Sequence, residues 1–295
     1  MALDPLSSAD TALAVLTDAP IDATGAAGAT VGLQRANVTA WRGGQARVQA
    51  DWLADEVPVA LVFNGLSHAV MMATPCDLDD FALGFALTEG LLLGPHELYS
   101  CEAHAVADGI ELHLDVSAAA FHRLKARRRT LAGRTGCGLC GTDSLGQVRQ
   151  PLPTAPAVPV SLAAIARAQQ ALREAQVLQQ RCGATHAAAW CSLHGEALLV
   201  REDVGRHNAL DKVIGAMQRA RFNAADGFFC ITSRASFEMV QKAVLAGAGV
   251  LAAVSAPTAL AVQVGHDANL ALAGFVRGDE LVAYTHPERF GLPPR

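Results

Sequence analysis

The chain has 295 residues, 51% hydrophobic and 17% charged, which excludes a disordered polymer and leaves material for one large or two modest cores. Its formal net charge of −5 excludes a global pull toward nucleic acid or an anionic membrane, so any anion site must arise from local placement of charge. Seven cysteines, scattered apart from one Cys-x-x-Cys, exclude the paired framework of a small secreted domain.

In chain order, residues 1–35 carry Asp4, Asp10, Asp18 and Asp22 and no basic stretch ahead of an apolar one. They read as a disordered tail, not a secretory leader. Val57 to Phe63 and Ser67 to Ala73 are apolar, β-rich runs around Asn64-Gly65, a strong hairpin signal. Thr74-Pro75 ends the second run, and Asp77 is a candidate N-cap for a helix from Leu78 to Leu92. Ile110 to Val116 alternates as a half-buried strand, and Ala118 to Arg129 comes next as a base-rich helix. Together these predict a smaller α+β domain over residues 36–130. Gly133, Gly136, Gly138, Gly141 and Gly146 then break all periodicity, and Pro151, Pro153, Pro156 and Pro159 stiffen the stretch beyond them. Residues 131–159 therefore read as a mobile loop joined to a linker.

Residues 160–295 predict a larger α/β domain. A helix spans Leu162 to Gln180, an apolar strand runs from His186 to Leu193, and His194-Gly195 reads as a hairpin turn. Three strand–loop–helix units complete the chain. Ala197 to Val200 leads to a helix near Asn208, and Gly227 to Thr232 leads to a helix from about Ser236 to Ala246. Val250 to Ser255 passes through Pro257, a favoured first helical residue, to a helix ending near Gly265. Such alternation argues for a sheet with helices on its faces and ligands beyond the carboxyl ends of its strands. Ala243 to Val264 is uncharged and long enough for a membrane span. Gly247, Gly249, Pro257 and Gln263 split it instead into helix, strand, turn and helix.

The pair Cys137 and Cys140 admits four readings. A zinc site needs further paired ligands, and Cys76, Cys101, Cys182, Cys191 and Cys230 are not spaced to supply them. A thioredoxin-like dithiol opens a helix, but glycines flank this pair. A zinc deaminase places His-x-Glu before Pro-Cys-x-x-Cys, whereas His194-Gly195-Glu196 comes after the cysteines and Gly136 stands at the proline position. The fourth reading is a thiolate that accepts sulfur as a persulfide and passes it on. Arg123, Lys125, Arg127, Arg128, Arg129 and Arg134 precede the pair, and nearby cations lower a thiol pKa, although a run of bases is also an ordinary solvated face.

The second constellation runs from Glu202 to Lys212. Asn208 is a candidate cap with Asp211 at N3, while Arg206 and His207 stand beside the exposed amides of the helix start. With Arg234 and Lys212 they suit a phosphate-bearing ligand; the competing reading is a buried ion-pair network among Glu202, Asp203 and Arg206. By themselves, His186 suits a core position and Arg277 a surface turn.

These segments together resemble the FdhD family of formate dehydrogenase accessory sulfurtransferases. The residues concerned are Asn64-Gly65, Thr74-Pro75, Gly84-Phe85, Thr88-Glu89-Gly90, Cys137-Gly138-Leu139-Cys140-Gly141, Glu202 to Lys212, Ser233 to Val240 with Lys242, Ala256-Pro257-Thr258 and Gly274 to Arg277. The family has Thr-Gly-Gly where this chain has Cys182-Gly183-Ala184, and nothing before Asp51 contributes to the match. The resemblance implies a cytoplasmic homodimer whose C-terminal part has a cytidine-deaminase-like three-layer fold. It implies sulfur received from a cysteine desulfurase and delivered to a molybdenum (or tungsten) bis-guanine-dinucleotide cofactor. That cofactor is a bound substrate on its way to formate dehydrogenase, and no permanent metal is expected. Cys137 would carry the persulfide with Cys140 assisting. Phe275, Val276, Arg277, Gly278, Asp279 and Glu280 would bind the cofactor, in company with Arg206, His207, Arg234 and His186. Two rivals are a non-catalytic molybdenum cofactor chaperone with structural cysteines and a nucleotide deaminase.

Overall fold

The computed structural model describes residues 31–131 and 151–294, with residues 127–131 in backbone only. The first element is a hairpin that the sequence pattern did not predict, formed by β1 (Leu33–Arg42) and β2 (Gln45–Ala54) around Gly43 and Gly44. Its first three residues, Leu33, Gln34 and Arg35, lie inside the stretch read as a tail. Arg, Gln, Ala and Asn interrupt its apolar alternation, so no half-buried pattern marks it.

Asn64-Gly65 makes the tight turn expected of it. Both residues have positive φ, 45° and 79°, and join β3 (Val57–Phe63) to β4 (Leu66–Ala73). The Asn64 side chain donates to the Val116 carbonyl and accepts from the Val116 amide, which ties this turn to the end of a neighbouring strand. With β5 (Leu98–Val106) and β6 (Gly109–Val116) the order is β4-β3-β6-β5, and only β3–β6 is parallel. Helices α1 (Leu78–Thr88) and α2 (Ala118–Leu131) cover one face of this sheet, where Leu61, Phe63, Leu112 and Leu114 meet Phe81, Phe85 and Leu124.

Two expectations about α1 are corrected. It stops at Thr88, not Leu92, because Gly90 turns to φ 67° and the Leu91 and Leu92 amides fold back to the Ala86 carbonyl. Asp77 occupies the N-cap position in a left-handed conformation with no capping bond. Its carboxylate lies 3.3 Å from Arg201 instead.

The expected helix from Leu162 to Gln180 is two, α3 (Leu162–Glu174) and α4 (Val177–Cys182). The break is explained by buried Glu202, whose carboxylate accepts the amides of Leu178 and Gln179 and so supplies α4 with its cap. Beyond α4 come β7 (His186–Ser192), β8 (Ala197–Asp203), α5 (Arg206–Arg219), β9 (Gly227–Ile231), α6 (Phe237–Leu245), β10 (Val250–Ala253), α7 (Ala259–Asp267), β11 (Ala271–Arg277) and β12 (Glu280–Thr285). The sheet order is β12-β11-β10-β9-β7-β8, with β9, β10 and β11 parallel. α7 begins at Ala259, so Pro257 is not its first helical residue; Thr258 caps the helix, its side chain accepting the Ala261 amide. The uncharged stretch resolves into α6, β10 and α7, and among the described residues no helix is long and apolar enough to cross a membrane.

Side chains alternate across the central strands into two cores. Trp190, Phe229, Ile231 and Leu251 pack under α5, α6 and α7; Phe228, Cys230, Val250 and Ala252 pack under α3. The result is three layers, helix–sheet–helix. Each large side chain buried in this way contributes roughly 1.5–3 kcal/mol. The two sheets meet through α1 and α5, which cross at Gly84 and Gly215. A Cβ at either glycine would run into backbone of the opposing helix, at Asp211 or Asp80.

Candidate functional site

The carboxyl ends of β8, β9, β10 and β11 and the start of β7 lie along one edge of the six-stranded sheet, as the pairing His186↔Asp203 and the parallel register of β9–β11 require. The loops that enter α5, α6 and α7 therefore gather there, as expected for an α/β sheet. On the α3 side of that edge is a cleft of about 350 Å³. Thr232 and Val254 after β9 and β10, Arg277 and Gly278 at the end of β11, and Gln169, Arg173 and Gln176 line it. Sequence reasoning missed Gln169, Leu172 and Arg173, whose i, i+3, i+4 spacing places them on one face of α3, and Gln176 in the break before α4. Both Arg173 and Arg277 are exposed. Their guanidinium groups have the forked geometry that receives phosphate oxygens.

Much of the Glu202-to-Lys212 motif serves a different purpose. The Lys212 ammonium lies 2.7 Å from the Asp203 carboxylate, both side chains fully buried, and it also donates to the Thr74 carbonyl at 3.0 Å. Asp203 accepts the amides of Thr74 and Gly205, and Thr74 Oγ1 accepts the Val204 amide. Asn208 is not the cap of α5, a position that falls to Gly205. Its side-chain amide donates to Met72 of β4 and to Asp203. Nor does Asp211 cap: it is buried, accepts from Thr88 Oγ1 at 2.8 Å and pairs with Lys242 at 2.9 Å. Burial works against the Lys242 ammonium, but Asp211 and Glu89 outweigh it and hold its pKa above the ordinary value. Lys212 is therefore no ligand for a phosphate. The rival network of Glu202, Asp203 and Arg206 does not form either, since Glu202 is taken by the α4 amides and Thr185. Thr74-Pro75 and Thr88-Glu89 are the other half of this junction between the two sheets. Buried pairs of this kind fix geometry more than they add stability.

The groups left facing the edge are Arg206, His207, His186 and Arg234. His207 Nε2 lies 3.0 Å from the Glu238 carboxylate, linking the first turns of α5 and α6. Burial alone would raise the Glu238 pKa, but His207, Arg206 and Lys242 hold it below the ordinary carboxylate range. Burial, then the charges of Arg206 and His207, push His186 below its usual value and favour its neutral form. Arg234 is exposed in the loop between β9 and α6.

The Phe275-to-Glu280 segment divides. Phe275, at φ 54° on a bulge of β11, is 42% exposed and shares a second cleft with Asp279, Glu280 and Leu281. Arg277 and Gly278 face the first cleft, and Val276 is buried in the core beneath α3. Cys137 and Cys140 lie outside the described residues. Of the others, burial raises Cys76 to about 11 and Cys101 and Cys230 to about 12, and also raises Cys191. These four are inert thiols at neutral pH. Among the described residues, no three His, Cys, Asp or Glu side chains are grouped to hold a metal ion.

The model of the FdhD/NarQ family matches residues 54–291. Sulfur carrier protein FdhD of Variovorax paradoxus (strain S110) is 63% identical over 251 residues, covering 84% of this chain and 90% of that protein. The protein of the same name from Cupriavidus necator is 54% identical over 253 residues, covering 85% and 88%. That from Bordetella petrii is 52% identical over 250 residues, covering 84% and 90%. A solved structure from Desulfotalea psychrophila, described as a formate dehydrogenase accessory protein, superposes with a TM-score of 0.68 at 21% identity, over 87% of this chain and 98% of that one. At that identity the likeness is one of fold.

Proposed function

This chain belongs to the FdhD/NarQ family, and from that membership we propose that it is a sulfur carrier protein required for formate dehydrogenase activity, working in the cytoplasm as a homodimer. A cysteine desulfurase presents a persulfide, and the Cys137 thiolate attacks its outer sulfur. The sulfur–sulfur bond of the donor breaks, the desulfurase thiolate leaves, and Cys137 holds the transferred atom, with Cys140 assisting. The acceptor is a molybdenum bis-guanine-dinucleotide cofactor, bound as substrate before its insertion into the dehydrogenase.

The observation that carries this reading is the strand-end cleft between Arg173 and Arg277, which suits a ligand rich in phosphates. Arg206 and Arg234 extend positive charge along the same edge, and neutral His186 offers a polar contact beside them. Burial keeps four of the five described cysteines protonated, Cys182 being the fifth, and the family resemblance points to Cys137 as the carrier. Helices on both faces of the six-stranded sheet support a cytidine-deaminase-like layout for residues 160–295, joined by residues 131–159 to a domain at 36–130.

The test is intact-protein and peptide mass spectrometry after incubation with desulfurase and cysteine. The wild-type protein gains one or more sulfur atoms on the Cys137 peptide, and Cys137→Ala gains none. Retention of the added sulfur by Cys137→Ala, mapped to Cys140, reassigns the carrier. Full formate dehydrogenase maturation by a Cys137→Ala/Cys140→Ala protein rejects the sulfur-carrier role itself.

A further inference from the structure

One buried polar side chain takes no part in the networks described above. Gln176 is 6% exposed, yet among the described residues nothing hydrogen-bonds its carboxamide, and it makes no capping bond to α4. The other buried polar and charged residues described all engage a side-chain atom in a hydrogen bond or ion pair. Buried polar groups are nearly always paired, so one that is not asks for a reason. Its position supplies one, because Gln176 lines the strand-end cleft together with Arg173 and Arg277.

The chain is fixed on both sides of this residue. The Ala175 amide closes α3 on the Ala171 carbonyl, and Glu202 accepts the Leu178 and Gln179 amides that open α4. Gln180 ties the two helices, its backbone amide donating to the Gln176 carbonyl and its side chain to the Glu174 carbonyl. Arg173 and Arg277, by contrast, are exposed and keep the rotamer freedom of long side chains. Of the other lining residues, Thr232 has its hydroxyl taken by the Ala187 amide and carbonyl, Leu172 and Val254 are apolar, and Gln169 is only half-buried. The buried hydrogen-bonding capacity of the cleft is therefore one carboxamide, an acceptor beside a donor.

We propose that Gln176 reads the base of a guanine nucleotide held in this cleft. Its Nε2 donates to guanine O6 and its Oε1 accepts guanine N1–H, while Arg173 and Arg277 take the phosphates. Guanine suits the position because its N1–H stands beside O6, the complement of a carboxamide edge. A cleft of about 350 Å³ lies within the size range of small-ligand sites, which fix orientation with a few placed polar groups among apolar walls. Gln176 has this role only if the cleft is the nucleotide site proposed above.

The experiment is calorimetric titration with guanosine diphosphate, paired with thermal unfolding, on the full-length wild type, Gln176→Met and Gln176→Glu. Methionine keeps the length of glutamine without its hydrogen bonds. Because no protein group loses a partner, Gln176→Met melts at or above the wild-type temperature. It binds guanosine diphosphate about tenfold more weakly, since the base edge is left unpaired. Gln176→Glu binds more tightly than Gln176→Met, because a carboxylate accepts from guanine N1–H and from the adjoining amino group. A wild type that does not bind overturns the nucleotide reading of the cleft and the role of Gln176 with it. Unchanged affinity in Gln176→Met leaves that reading standing and overturns the role of Gln176. A melting temperature lowered by Gln176→Met also overturns it, by showing the carboxamide to be a partner within the fold. Weaker binding by Gln176→Glu than by Gln176→Met moves the contact to the phosphates and overturns the assignment to the base.

Discussion

Replacing Gly84 by alanine adds a Cβ that would stand 2.6 Å from the carbonyl carbon of Asp211 and 2.9 Å from the amide nitrogen of Gly215. Ordinary contact begins at 3.4 Å, so α1 and α5 must part. A separation of roughly 1 Å forfeits a quarter to a half of the dispersion energy along the crossing. It also stretches the bonds from Lys242 and Thr88 to Asp211, which lies on α5. Overpacking of this kind costs about 1–3 kcal/mol and sometimes more, because neither backbone is free to yield. Alanine recovers about 1 kcal/mol of helix propensity. With the strained junction added, the net loss expected is about 2–3 kcal/mol. That corresponds to a Tm lowered by about 4–12 °C. The assay is thermal and urea unfolding followed by far-UV circular dichroism, with Gly265→Ala as the comparison. In α7 the added Cβ meets nothing closer than 3.7 Å, so the same substitution there is neutral or stabilising by up to about 1 kcal/mol. If Gly84→Ala melts with or above the wild type, the close crossing of α1 and α5 is wrong.

The same contacts have other consequences. Lys212→Met leaves the Asp203 carboxylate buried and unpaired, an expected loss of about 3–5 kcal/mol. Asp203→Asn/Lys212→Met regains part of it, as a double-mutant cycle in urea would measure. Glu97 is held below the ordinary carboxylate range by the Leu93 amide and by Arg123, despite partial desolvation. A depressed carboxylate stabilises the fold above its unfolded-state pKa, and that contribution disappears as the pH falls through the folded value. Glu97→Gln therefore destabilises at pH 7, and its difference from the wild type shrinks below about pH 4.5. Mild alkylation of the native protein at neutral pH should leave Cys76, Cys101, Cys191 and Cys230 unmodified, since burial raises each thiol; early labelling of any of these, read by peptide mapping, contradicts their placement. Arg277→Ala should weaken binding of guanosine diphosphate by about tenfold or more in calorimetry, the cost of a charge-assisted hydrogen bond. Unchanged affinity would place the nucleotide elsewhere.

The elements set by local physics were legible in the sequence. Asn64-Gly65 forces its tight turn, the alternation of Ile110 to Val116 makes a strand, and the strand–loop–helix rhythm after Ala197 produces a parallel-centred sheet with its helix-entering loops along one edge. The motif residues also announced that they mattered. What they do was decided only by the fold, because it depends on chain segments far apart in sequence. Lys212 and Asn208 read as candidates for an anion site and a cap, yet Asp203 and the Thr74 and Met72 carbonyls claim them. Asp211 meets Lys242 and Thr88 only because Gly84 and Gly215 let two helices touch. Glu202, remote in sequence from Leu178, accepts the amides that begin α4. Sequence periodicity records which face of an element is buried; which charge is neutralised by which partner is settled where those faces meet, and no local pattern encodes that.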